Sequence, residues 1–292
     1  MATEACLVCG GTLVPAVATP RSSYGQPGKY RIDACPDCGA GATIPRPTAD
    51  ELSACYEANY GYSAHDLIEP EKRRRSRSLL SWSGVRSGNV LDVGCMFGFL
   101  LDEARALGVG TYGIELSAEP ARIAEQKGHD VFVGTIEQFA AGRPDLRFSA
   151  IFAQHVLEHV VEPRSFLQTA RGLLEPGGKL VVCVPNFGAR LRKLAPSSWA
   201  WYQVPVHLHH FSETALQRLL TEVGLEPIAQ RTSGGDSLFV VLSALQALGL
   251  SAPNPGEDNR SRLTRPALRM VGEILRPYYA FGDDELAMIA RS

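Results

Sequence analysis

A chain of 292 residues with 45% apolar and 21% charged side chains can bury a full core, and its length suits one catalytic-sized domain plus something smaller. With 29 Lys and Arg against 31 Asp and Glu, the net charge of −2 leaves no electrostatic footprint for nucleic acid and favours a small-molecule or protein partner. The start, MATEACLVCGG, lacks a basic-then-apolar leader pattern, and the best apolar stretch, SLFVVLSALQALGL from Ser237, is shorter than the roughly 20 residues of a membrane span, so a cytoplasmic chain without a span is expected.

Residues 1–47 are dense in Gly, Pro and Cys and hold two knuckles, Cys6-x-x-Cys9-Gly10 and Cys35-Pro36-Asp37-Cys38-Gly39. Each knuckle puts two thiolates on one turn, and together they complete a tetrahedral sulfur shell suited to zinc. An odd total of seven cysteines, in a presumed reducing compartment, argues for metal over disulfides. Four sulfurs leave no open coordination position, so the zinc is expected to be structural. Cys55, Cys95 and Cys183 lie in apolar or helical contexts and read as core residues.

Thr48 and Glu51 form a capping-box pattern that marks a boundary, and residues 48–84 read as a helical linker or cofactor-covering segment. Its five cations between Lys72 and Arg77 read as a solvated helix face rather than a phosphate contact. Next come NVLDVG, GTYGIEL, DVFVG, SAIFAQH and KLVVCVP, separated by FLLDEARALG, AEPARIAEQKG and PRSFLQTARGLLEPGG, each periodic and ended by glycine. This alternation predicts a parallel, doubly wound α/β sheet. SETALQRLLTEVG is a capped helix from Ser212, LEPIAQRT a sixth strand and DELAMIAR (Asp284 to Arg291) a seventh. An insertion at about residues 237–282 carries two apolar helices, suited to a substrate roof or a homodimer face.

The first strand runs into the turn of LDVGCMFGFLL, Leu91 to Leu101. A dinucleotide turn needs a middle glycine so that backbone can approach pyrophosphate, and Met96 stands there instead. S-adenosylmethionine makes no such demand. Glu115 ends the second strand 21 residues beyond Gly94, where a carboxylate can accept ribose hydroxyls.

On these motifs, with GIELS, VGTIEQF, FSAIFAQHVLEHV and LLEPGGKLVVCVPN in order behind them, the chain resembles the class I S-adenosylmethionine-dependent methyltransferases over roughly residues 85–290. The resemblance implies a Rossmann-like sheet of six parallel strands plus an antiparallel seventh, beside the small zinc-ribbon-like module. It also implies that Asp92, Gly94, Cys95, Met96 and Gly98 shape the turn around the methionine tail, and that Glu115 and Leu116 meet the ribose. Thr135 and Ile136 would flank adenine, and Gln154 would approach the methyl group. YEANYGY resembles an entry segment that folds over the cofactor in some relatives, which adds Tyr60. Met96 departs from the usual glycine, and Ser149 stands where the family commonly has Asp.

HLHHFSETALQRLLTEVGL resembles the region before strand six in the branch that acts on sugars, lipids and natural products. The zinc-first layout resembles enzymes that methylate carbon of nucleotide-linked deoxysugars. Those have a further C-terminal domain for which this length leaves little room, so a hydroxyl of a sugar or secondary metabolite is the expected acceptor. A hydroxyl needs a base, and histidine has a suitable pKa. His155 after strand four and His207 in PVHLHHF are the two candidates, with His209 and His210 beside the second; His159 reads as structural. Trp199, Trp201 and Tyr202 fit either a lid or packing. Alternative readings are carbon or nitrogen methylation of a nucleotide-linked, carrier-bound or peptide substrate, RNA methylation, and non-catalytic binding of S-adenosylmethionine by a regulator.

Overall fold

The computed structural model describes residues 4–18, 20, 28–59, 65–194, 196–197, 199–234 and 282–292. Tyr60 and the two apolar helices expected after residue 236 lie outside these. Strands β1 (Val14–Val17), β2 (Arg31–Ala34) and β3 (Gly41–Ile44) precede helices α1 (Ala49–Asn59) and α2 (His65–Ser83). Then come β4 (Asn89–Val93), α3 (Phe99–Arg105), β5 (Gly110–Glu115), α4 (Ala118–Gln126), β6 (Asp130–Val133), α5 (Ile136–Gly142), β7 (Phe148–Gln154), α6 (Pro163–Leu173) and β8 (Leu174–Pro185). After them lie α7 (Arg190–Leu194), β9 (His209–His210), α8 (Glu213–Glu222), β10 (Glu226–Ser233) and β11 (Glu285–Arg291). Among the described residues no helix is long and apolar enough to cross a membrane.

The chain divides into two compact units, one of Met1–Gly61, Val184–Leu219 and Arg231–Leu286, the other of Tyr62–Cys183, Leu220–Gln230 and Ala287–Ser292. The expected α/β sheet is present: a mixed seven-stranded sheet in the order β10-β11-β8-β7-β4-β5-β6, with an antiparallel strand. β5, β4 and β7 run parallel side by side, with Leu91 paired to both Tyr112 and Ile151. Helices cover both faces of the central strands, so these read as continuous apolar runs rather than alternating ones: Ala150 to Ala153 and Leu180 to Val184 are fully buried. Leu79 and Leu80 of α2, Leu100 of α3, Phe152 and Val181 belong to one core cluster. α6 starts with Pro163 in its first turn and buries Phe166, Leu167, Ala170 and Leu173. It stops before LEPGG, because Pro176 cannot continue a helix and Gly177 takes a left-handed φ of 77°. β8 therefore begins at Leu174, earlier than the apolar run from Lys179 suggests.

The cationic run of α2 is not simply a solvated face. Arg73 reaches Asp102 at 2.8 Å and Glu103 at 3.2 Å, and Arg77 reaches Glu103 at 3.4 Å, so the run is held against α3.

In the other unit a four-stranded sheet has the order β1-β2-β3-β9, whose last strand comes from the segment after β8. Thr48 and Glu51 make the capping box reciprocally, at 3.3 and 2.8 Å. The aromatics of SSWAWY pack with Ile32, Tyr30 and Phe187 rather than forming an exposed flap: Trp199 and Tyr202 are fully buried and Trp201 nearly so. Trp199 Nε1 donates to Asp284 Oδ1 at 2.6 Å and the Tyr202 hydroxyl to the Pro196 carbonyl at 2.7 Å.

Because Phe152 is wholly buried at the centre of the larger sheet, Phe152→Ala is expected to cost about 3–5 kcal/mol. A drop in the urea midpoint checks this; an unchanged midpoint contradicts the placement.

Candidate functional site

Parallel pairing brings the carboxyl ends of four strands level. Val93 lies between Ile114 and Ala153, and Glu115 faces Val133. Gly94, Leu116, Gly134 and His155 follow these ends in one row, on the side of the sheet where open α/β folds bind ligands.

The turn after β4 is built from backbone. The N–H groups of Gly94 and Cys95 both donate to the Ile114 carbonyl, at 2.8 and 3.0 Å, and Gly98 N–H donates to the Cys95 carbonyl at 2.8 Å. Gly94 has φ 73°, and a Cβ there would stand 2.7 Å from Val156 Cγ2. Met96 has φ 47°, the left-handed region, at a cost of about 1–2 kcal/mol for a residue with a side chain. Glu115 holds it there: Met96 N–H donates to Oε2 at 3.0 Å, and Ser117 N–H donates to Oε1 at 2.9 Å. Cys95 packs with Leu101, Ala121, Ala124 and Val131, so its sulfur belongs to the core, whereas Met96 is half-buried.

Beneath the turn Asp92 is almost wholly buried. Burial, with the Glu115 charge added, pushes its carboxyl well above the usual range. A cation near this pair would lower the cost of ionisation and an anion would raise it. The middle residue's backbone, which approaches pyrophosphate in a dinucleotide turn, is here bonded to a carboxylate. Farther along the row, Leu116 is 71% exposed, Thr135 uses its hydroxyl in a capping box with Gln138, and Ile136 is buried. Gln154 at the end of β7 is half-buried.

His155 also takes a left-handed φ, 52°, and its N–H donates to the Cys183 carbonyl at 2.8 Å. Its ring is gripped at both nitrogens: Nε2 lies 2.8 Å from the Arg75 guanidinium and Nδ1 3.1 Å from Glu158 Oε1. A guanidinium only donates, so in neutral His155 Nε2 accepts and the proton sits on Nδ1, directed at Glu158. Glu158 is completely buried, and that burial pushes its carboxyl up to about 8. Arg75 and Glu158 have no motif of their own; one is hidden among five cations and the other sits inside LEH. His159, in the same short 3-10 turn, donates its N–H to the Val156 carbonyl at 2.9 Å.

In the other unit His207, His209 and His210 are all buried. His207 Nδ1 stands 2.8 Å from the Trp201 carbonyl, so it carries the proton and Nε2 keeps the lone pair. Burial pushes His210 down to about 3, with His209 and the Arg192 and Arg46 charges adding to the effect.

The same unit holds the paired cysteines in two matching turns. Gly10 N–H donates to the Cys6 carbonyl at 2.8 Å and Gly39 N–H to the Cys35 carbonyl at 2.9 Å. The Cys6 and Cys38 sulfurs are 3.6 Å apart, those of Cys9 and Cys35 3.4 Å, and all four lie within 4.8 Å of one another as free thiols. A tetrahedral cation with bonds of about 2.3 Å sets sulfurs about 3.8 Å apart, so the donor set fits one. Burial pushes the Cys6 and Cys38 thiols up, a shift that a bound cation would reverse.

A family model described as "Methyltransferase domain" matches residues 64–230. The chain belongs to this methyltransferase family. A "Ubiquinone biosynthesis O-methyltransferase" of Bradyrhizobium sp. is 35% identical over 119 residues, covering 39% of this chain and 45% of that protein. One of the same name from Cereibacter sphaeroides is 30% identical over 180 residues, covering 57% of this chain and 70% of that protein. The chain thus spans between about half and just over two thirds of these relatives. Among solved structures, a SAM-dependent methyltransferase from Archaeoglobus fulgidus superposes with a TM-score of 0.54 at 17% identity, covering 80% of this chain and all of that one. A mycolic acid cyclopropane synthase superposes with a TM-score of 0.53 at 16% identity, covering 80% and 88%. Both likenesses concern the fold.

The chain therefore carries an S-adenosylmethionine-dependent methyltransferase domain. Its turn suits a cofactor that carries a sulfonium and an ammonium instead of phosphates, since Asp92 and Glu115 place two carboxyl groups there. If the left-handed backbone at residue 96 costs what its φ implies, Met96→Gly raises stability by up to about 1 kcal/mol and Met96→Val lowers it by at least as much. Three equal urea midpoints would contradict that strain.

Proposed function

We propose that this methyltransferase acts on a hydroxyl of a small molecule, most readily that of a sugar or secondary metabolite. The observation that carries the cofactor half of the reading is the Glu115 carboxylate bonded to the backbone of the Gly94–Gly98 turn. For the acceptor half, the printed name of the relatives, O-methyltransferase, supports oxygen over carbon or nitrogen. The net charge of −2 argues against the RNA reading.

Bound S-adenosylmethionine supplies an electrophilic methyl group on a sulfonium. Around it, Asp92, Gly94, Cys95, Met96 and Gly98 shape the cradle for the methionine tail, Cys95 through its backbone alone. Glu115 retains unused lone pairs for the ribose hydroxyls, with Leu116 beside it. Thr135 and Ile136 border adenine, Gln154 faces the methyl-bearing end, and Tyr60 closes over the cofactor. Arg75, a donor-only cation at His155, can grip an anionic group of either ligand.

His155 and His207 are the candidate bases. In each the proton sits on Nδ1, bonded to Glu158 or to the Trp201 carbonyl, which leaves Nε2 as the basic nitrogen. Nε2 of the operating histidine would take the hydroxyl proton of the acceptor during methyl transfer. For His155 this requires Arg75 to release Nε2 first, which an anionic ligand would favour. Positioning and exclusion of water supply the rest of the rate.

Residues 1–47 are read as a module in which Cys6, Cys9, Cys35 and Cys38 hold a structural zinc. Residues 48–84 are read as the cofactor-covering segment, and 85–292 as the catalytic domain with its helical insertion.

Release of S-adenosylhomocysteine, measured over a panel of phenol, catechol and sugar acceptors, tests the base. Loss of the operating histidine, by His155→Ala or His207→Ala, is expected to lower turnover about 10²–10⁴-fold while calorimetric S-adenosylhomocysteine binding persists. Full turnover in both variants would sink both assignments. Metal analysis of the purified chain is expected to find one zinc, lost in Cys38→Ser; a metal-free, fully stable native chain contradicts the module.

A further inference from the structure

The segment that bears His207 has no long strand of its own, yet its histidines are buried. Several of its anchors come from the cysteine module, within the same unit. Three residues after Cys38, β3 begins, and it pairs with β9 through Gly41–His210 and Ala42–His209. Thr43 N–H donates to the Leu208 carbonyl at 3.1 Å. Arg46 donates to the same carbonyl at 3.0 Å, and the Ser212 hydroxyl donates to the Cys38 carbonyl at 3.0 Å. The histidine segment is thus tied to the module from Leu208 to Ser212.

Thr43 makes the most specific tie. Its side chain is completely buried, and its hydroxyl donates to the His207 carbonyl at 2.6 Å. That uses its one proton, so toward His210 Nε2, 3.2 Å away, the oxygen must accept. One hydroxyl therefore fixes the backbone of His207 and the tautomer of His210, as Nε2–H. His207 is fixed in the opposite sense, with Nδ1–H on the Trp201 carbonyl. A valine in place of Thr43 would fill the same space and satisfy neither partner.

We propose that Thr43 is a positioning residue through which the four-cysteine centre sets the conformation of the His207–His210 segment. The inference rests on the reading of His207 as a candidate base and of the cysteines as a zinc site, and deepens both. The metal module then acts as the frame for a base-bearing segment distant in sequence, and the hydroxyl at residue 43 is the transmitting contact.

Long-range ¹H–¹⁵N NMR of the full chain, labelled at histidine and loaded with Zn²⁺ alone, tests it. The parent is expected to show His210 as the Nε2–H tautomer and His207 as Nδ1–H. In Thr43→Val, solvent exchange of the His210 Nε2–H is expected to quicken about tenfold, the scale of one lost buried hydrogen bond. Thr43→Ser, which keeps the hydroxyl, restores slow exchange and the parent tautomers. Removing zinc with a chelator under reducing conditions is expected to move the His207 and His210 resonances in the same direction as Thr43→Val. S-adenosylhomocysteine binding within about twofold of the parent shows that the catalytic fold is intact in each sample.

Unchanged exchange and tautomers in Thr43→Val would overturn the positioning role. So would Thr43→Ser behaving like valine, which decides the matter if valine prevents folding. Resonances indifferent to zinc removal would overturn the link to the cysteine centre. Cobalt substitution separates the underlying reading: absence of thiolate-to-cobalt absorption means that the zinc assignment fails, whatever Thr43 does.

Discussion

A carboxylate bonded to two backbone amides organises the turns at the carboxyl ends of β4 and β5. Glu115 receives the N–H groups of Met96 and Ser117. It thereby couples the turn after one strand to the turn after its parallel neighbour. The parallel register of β4 and β5 brings Glu115 to that point, and the buried cores on both faces of the sheet hold the register. With the carboxylate in place, Met96 can remain left-handed without glycine. The same arrangement occupies the Met96 N–H, in the backbone that approaches pyrophosphate in a dinucleotide turn.

The second unit of structure follows a different logic. Two knuckles with four converging sulfurs close a small sheet too short to build a large core by itself. Its outer strand is supplied by β9, and its apolar core is completed by Trp199, Trp201 and Tyr202. Residues from the segment after β8 thus share one core with the N-terminal strands. The aromatics have their role in that core, where they fix His207 through the Trp201 carbonyl.

Features encoded locally were legible before the fold was known. The knuckles, the Thr48–Glu51 box and the Gly94–Gly98 turn each lie within five consecutive residues, where spacing alone dictates geometry. The strand–helix alternation was legible for the same reason, since buried parallel strands read as apolar runs. Contacts across the sequence were not. The pairing of β3 with β9 joins residues about 170 apart through a two-residue strand too short for any periodicity. Arg75 is chemically identical to its neighbours in the cationic run, and only the fold singles it out by placing His155 within 2.8 Å. The start of β8 at Leu174 is not legible because Pro176 and the glycines after it look like a helix end followed by a loop: the strand pairs with β7 at Leu174, shifts register, and resumes pairing at Lys179.

A turn whose middle N–H is bonded to a carboxylate is expected to select a cationic, phosphate-free cofactor. Isothermal titration of the purified chain with S-adenosylmethionine and, separately, with NADH tests it most directly. One equivalent of S-adenosylmethionine is expected to bind, NADH is not, and Glu115→Gln should weaken the former by about tenfold or more, the scale of a lost charge-assisted hydrogen bond. Binding of NADH in preference to S-adenosylmethionine, or undiminished affinity in Glu115→Gln, would contradict the account.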